Sequence, residues 1–104
     1  MVFVSGTTAS DERGTVIGSD VYAQTSYILQ KIERALHSAG ASMKDVVRTR
    51  SFITDISQWE EFGKAHGEFF RDVRPVSTLV EISRLIDPAH LIEIEVDAVI
   101  ATDA

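Results

Sequence analysis

Cysteine is absent from this 104-residue chain, which excludes disulfides, thiolate metal sites and cysteine nucleophiles together and makes a reducing compartment the simplest home. Positive charge is scarce. Ten Lys and Arg face 16 Asp and Glu for a net charge of -6, the wrong sign for a surface that must neutralise phosphates, so no nucleic-acid partner is expected. No apolar run approaches the ~18 residues that span a bilayer, and the first basic side chain is Arg13, so neither a membrane helix nor a signal peptide is expected. The reading is a cytoplasmic protein. Gly-rich phosphate loops, a serine nucleophile elbow, a basic aromatic ribbon, internal repeats and linkers are all missing as well.

What is present is ordinary for a globular protein: 44% hydrophobic and 25% charged residues, in a length that suits a single domain over 1–104. A chain this short buries only ~60–68% of its unfolded surface, so it gains by hiding more in an oligomer.

Met1 to Gly6 is a β-branched and aromatic run closed by glycine, which predicts a strand. From Asp20 to Gly40 the apolar residues Val21, Ile28, Ile32, Ala35, Leu36 and Ala39 recur at helical spacing, with Ser19 or Asp20 as N-cap and Gly40 as the stop. Asp45 to Thr54 has strand character, with Val47, Thr49, Ser51 and Ile53 on one face and Arg48, Arg50, Phe52 and Thr54 on the other. Ser57-Gln-Trp-Glu60 reads as a capping box opening a second helix, whose buried stripe would be Trp59, Phe62, His66, Phe69 and Phe70. Strands over Val76 to Ile82 and Leu91 to Ile100 complete the chain, and Ile92, Ile94, Val96 and Ala98 alternate there with Glu93, Glu95 and Asp97.

The order strand, helix, strand, helix, strand, strand predicts an α+β fold with two helices on one face of a mixed sheet. By alternation the opposite face should carry Arg48, Arg50, Phe52, Ser77, Leu79, Glu81, Glu93 and Glu95. A solvated face has little use for Phe52 and Leu79, whereas an intersubunit surface would bury them.

Val4-Ser-Gly6, Gln24-Thr25, Ile32, Ala39-Gly-Ala-Ser42, Asp45-Val-Val47, Thr54-Asp55, Pro75, Val80-Glu81 and Ile92-Glu-Ile-Glu95 follow one another along nearly the whole chain. In that order and spacing the sequence resembles the YjgF/RidA family, also known under endoribonuclease L-PSP names. The resemblance implies a chorismate-mutase-like fold whose three copies pack their sheets into a central barrel, with ligand clefts at the subunit boundaries. It implies hydrolysis of enamines and imines to keto acids and ammonia without metal or cofactor, on small carboxylated substrates. Members usually carry one further strand ahead of the Val-Ser-Gly segment, so part of one cleft wall is expected to be missing. Deaminating members also carry an arginine in the strand after the proline, and aligning Pro75 and Val80-Glu81 puts Ser77 there. Serine lacks the planar charged fork that grips a carboxylate.

On this resemblance Glu93 matches the acid that positions water, although a strand carboxylate facing solvent has the same pattern. Arg50 is the candidate for a relocated anion anchor, reaching a ligand from a strand beside Ser77, with Arg48 behind it and an interface salt bridge as the plainer reading. Ser77 and Thr78 could offer hydroxyl or amide donors, Leu79 and Phe52 cleft wall, and Ser5 and Gly6 the Ser-Gly turn at the cleft edge. His66 lies on an apolar helical stripe and reads as a core histidine. His37 and His90 have no ligand-like spacing, so no metal is expected. A noncatalytic binding or regulatory module of the same fold is the alternative, and RNA cleavage would need a basic surface that the composition lacks.

Overall fold

A computed structural model describes residues 1–101; the last three residues of the expected 1–104 domain lie outside the described ones. The elements are β1 (Val2–Thr7), α1 (Val21–Ser38), β2 (Val46–Ile53), α2 (Trp59–Phe70), β3 (Val76–Glu81) and β4 (Ile92–Ala98). They form a four-stranded mixed sheet in the order β1-β4-β2-β3, with β2 and β3 parallel and β4 antiparallel to both β1 and β2. Both helices cover one face, so the α+β expectation holds.

Helix α1 forms because its apolar residues fall on one stripe: Val21, Ile28, Leu29, Ile32 and Leu36 are all buried. Asp20 caps it by accepting a 2.7 Å bond from the Ala23 amide, and the chain leaves through Gly40 at φ 83°, a left-handed conformation that glycine adopts without strain. The stripe lies on Ile53, Ile92, Ile94, Val96 and Ala98 in a common core. Each of the buried Val, Ile and Leu side chains contributes about 1.5–3 kcal/mol by leaving water.

Helix α2 starts later than the capping box suggests. Asp55 accepts from both the Ser57 amide (3.0 Å) and the Ser57 hydroxyl (2.7 Å), so the hydroxyl is engaged upstream and a short 3-10 turn, Ile56–Gln58, precedes Trp59. Trp59, expected in the buried stripe, is 56% exposed, while Phe62, Ala65 and Phe70 are buried. In β2 a bulge between Val46 and Arg48 turns Val46 into the core and Val47 outward, reversing the expected place of Val47.

A second correction concerns β3. Its register sets Ser77 opposite Thr49 and Leu79 opposite Ser51, and both partners are fully buried beneath the helices. Opposed residues in a parallel pair point to the same side, so Ser77 and Leu79 belong to the helix side rather than to the face of Arg50. Leu79 accordingly packs against the core, and Val76, Thr78 and Val80 share the outer face with Arg50 and Phe52. The prediction failed because β3 has apolar residues on both sides, so alternation does not decide which side is inner.

Candidate active site

Two adjacent cross-strand rows on the outer face of the sheet carry the candidate residues. Thr78, Arg50 and Glu95 form one, and Val80, Phe52 and Glu93 the next. In the first row the Arg50 guanidinium is already engaged: Nε donates to Glu95, and the two terminal nitrogens donate to Asp97 at 3.2 and 3.3 Å. Glu95, then Asp97, hold the Arg50 pKa above its usual value. Arg50 thus acts as a clamp between two β4 carboxylates, with three of its N–H donors engaged.

Glu93 sits at the other end of this surface, in a cleft of about 480 Å³ between the start of the β1–α1 segment and the β3–β4 loop. Thr8 lines it from the first segment, and Arg84, Leu85, Ile86, Asp87 and His90 from the loop. Gly6 lies directly under the acid: a Cβ at that position would stand 2.8 Å from both Cδ and Oε2 of Glu93. Glycine is needed here for close approach, since its φ is not in the left-handed range.

The loop is held from behind by α1. The buried Gln24 side chain donates to the Ala89 carbonyl at 2.8 Å and to the Gly18 carbonyl at 3.1 Å, and accepts from the Leu91 amide at 2.8 Å. Asp87 closes the turn, its carboxylate accepting from the Ala89 amide (2.8 Å) and its carbonyl from the His90 amide (3.0 Å). On the facing wall the Lys31 ammonium donates to the carbonyls of Thr8 (2.7 Å) and Ser10 (2.6 Å). Desolvation, helped by Arg34, lowers the Lys31 pKa. Ser10 and His90 join the two walls through a 2.7 Å bond between Oγ and Nε2.

Of the residues singled out from the sequence, Glu93 and Gly6 come together at the cleft, with Phe52 beside Glu93 on the sheet. Ser5 is exposed on β1, its carbonyl accepting from the Thr7 hydroxyl at 2.9 Å. Arg50 and Thr78 stand one row away. Ser77 faces the helices, where its hydroxyl accepts from Thr49 (3.0 Å), which is bonded in turn to His66 Nε2 (2.9 Å). His66 lies between the rings of Phe62 and Phe70, as a core histidine should, and burial lowers its pKa.

Sequence reasoning missed Arg84 and His90 as cleft residues. Arg84 is the only Lys or Arg after Arg74, a signal available in the sequence, and it makes no ion pair among the described residues. An exposed guanidinium beside a glutamate in one concavity can hold a small anion and a water molecule together. Among the described residues no three His, Asp or Glu side chains converge as metal ligands, and no helix is long and apolar enough to cross a membrane.

Known proteins share this framework. A structure from Mycobacterium tuberculosis, of a YjgF/YER057c/UK114 family member, superposes with a TM-score of 0.86 at 48% identity, covering 94% of this chain and 77% of that one. The Rid-family protein YyfB of Yersinia pestis gives 0.87 at 28% identity, over 95% and 77% of the two chains. The 3-aminoacrylate deaminase RutC of Acinetobacter baylyi is 35% identical over 95 residues, 90% of this chain and 75% of its own. With residues 1–100 matching the Endoribonuclease L-PSP family pattern as well, the chain belongs to that family, the YjgF/Rid group of proteins.

Proposed function

We propose that this protein is a Rid-like enzyme that binds small carboxylated imines or enamines and hydrolyses them to keto acids and ammonia. The observation that carries the reading is the convergence on one cleft of Glu93 and Arg84, which makes no ion pair among the described residues. Arg84 grips the substrate carboxylate. Glu93 orders the water that attacks the C=N carbon, and Gly6 leaves room for its carboxylate. The relation to a 3-aminoacrylate deaminase supports a substrate of this size and charge. As the family resemblance implies, three copies would meet on the outer sheet face, where Phe52, Thr78 and Val80 lie, and the neighbouring subunit would complete the cleft near Ser5. No cofactor takes part in this scheme, and the cysteine-free composition suits the cytoplasm.

An amino-acid oxidase that generates 2-iminopropionate and related imines in situ provides the assay. Faster keto-acid release with the protein than without it is expected, and no acceleration across several side chains would defeat the enzymatic reading. Arg84→Ala should raise KM by about tenfold or more, the scale of one lost charge-assisted contact. Sedimentation equilibrium tests the assembly: a monomer at working concentrations rejects the shared cleft.

A second reading, a noncatalytic ligand-binding or regulatory module, is favoured by one feature. Ser77 occupies the position where the resemblance expects the substrate arginine, and its hydroxyl is turned to Thr49 on the helix side. Tight keto-acid binding without turnover would select this alternative.

A further inference from the structure

We propose that His90 is a catalytic residue of this cleft, the acid that delivers protons to the substrate nitrogen while Glu93 handles those of the water. The inference rests on the hydrolytic reading above and adds to it a group that Glu93 and Arg84 leave unsupplied, since ammonia departs from carbon only once its nitrogen is protonated.

Three sets of contacts fix His90. Gln24, buried to 1% exposure, grips the backbone on both sides of it through Ala89 and Leu91. Its own amide closes the loop turn on Asp87. Its Nε2 is bonded to Ser10, whose segment Lys31 ties down from α1. A loop histidine without a task has no need of a buried carboxamide, a lysine and a serine to aim it.

The partner also suits a group that cycles between charge states. A serine hydroxyl donates to a bare Nε2 and accepts from a protonated one, so it holds the ring in either form, whereas a carboxylate would favour the cation. Nδ1 forms no hydrogen bond among the described residues and remains for a ligand in the cleft that His90 lines. The charged groups around that cleft are Arg84 and Asp87 on the loop and Glu93 on β4, with Lys31 behind Ser10.

The protons balance over two steps. When water adds to the C=N carbon, Glu93 takes a proton from the water and protonated His90 gives one to the imine nitrogen, forming the carbinolamine. Water in the cleft returns the proton from Glu93 to His90. In the second step the C–N bond breaks with its electron pair going to nitrogen, His90 again protonates that nitrogen, and Glu93 accepts the proton of the hydroxyl. The same water relay then returns that proton from Glu93 to His90, and the sum is imino acid plus water to keto acid plus ammonia.

The test measures the pH dependence of kcat for wild type, His90→Gln and Ser10→Ala, with His37→Gln, on the exposed end of α1, as the control. His90→Gln should lower kcat about 10²-fold, lose the alkaline limb of the profile and regain part of its rate with added imidazole. Ser10→Ala should lower kcat several-fold at constant KM and shift that limb. Should His90→Gln fail to fold, Ser10→Ala decides by the same criteria. An active wild type whose His90→Gln and Ser10→Ala profiles match it would overturn the role of His90 alone, leaving the hydrolytic reading in place. An inert wild type would remove both.

Discussion

Replacing Gly6 by alanine should cost activity without costing stability. The added Cβ would lie 2.8 Å from Cδ and Oε2 of Glu93, and ordinary contact begins at 3.4 Å, so the carboxylate must retreat by about 0.6 Å. Because the atoms met are the far end of a flexible side chain, they can move without disturbing the sheet. Gly6 has no left-handed φ, so alanine fits the backbone and stiffens the unfolded chain, for a gain of up to about 0.4–1 kcal/mol. Misplacement by 1 Å costs about 10²-fold in well-aligned reactions, and 0.6 Å on that scale is about tenfold in kcat. Imine hydrolysis and thermal unfolding, measured on the same preparations, check both halves. A Gly6→Ala protein with undiminished kcat would refute the idea that Glu93 works from its observed position, and a marked fall in melting temperature would refute the reasoning about the backbone.

Thr49→Val leaves the half-buried His66 Nε2 without its partner at nearly constant volume and should destabilise by about 1–3 kcal/mol, a fall of roughly 4–8 °C in Tm for each kcal/mol. An unchanged Tm would mean that the His66–Thr49–Ser77 chain contributes nothing. His66 also makes stability depend on pH, because burial holds its folded pKa below the ordinary 6.5. The unfolded state then binds the proton more readily, so stability is full above about pH 6.5 and declines below it, and His66→Gln should flatten that decline in denaturant titrations. Arg50→Ala leaves Glu95 and Asp97 as unneutralised neighbours two residues apart on β4 and should lower Tm more at low ionic strength than in high salt, which screens their repulsion. If it instead changes only KM for carboxylated imines, the anchor belongs to Arg50 and not to Arg84.

The parts of the fold that could be read from the sequence were those with one strong periodicity. Helix α1, with its apolar stripe between Asp20 and Gly40, and β4, with strict alternation, lie where expected because a single buried face dictates each. The phase of β3 was not legible, since Val76 and Val80 on one side are set against Leu79 on the other, and register with β2 decides between them. Trp59 shows that hydrophobicity alone does not place a residue at a helix start, where the capping of Asp55 sets the phase. At the site, Glu93 and Gly6 could be named from the family resemblance, but Arg84 and His90 lie on an irregular loop that no period describes. Their convergence depends on Gln24, Lys31 and Ser10, contacts spanning 21 to 80 positions in sequence.

The way Gln24 and Lys31 reach out from α1 divides labour within the molecule. His90 and Arg84 sit on a short irregular loop, yet the place of that loop is inherited from the most deeply packed rod of the domain, much as tools are held in a vice. Swapping residues 84 to 86 should therefore retune which molecules are accepted while the scaffold stays as it is, and a lesion inside the helix should blunt the chemistry before the protein comes apart.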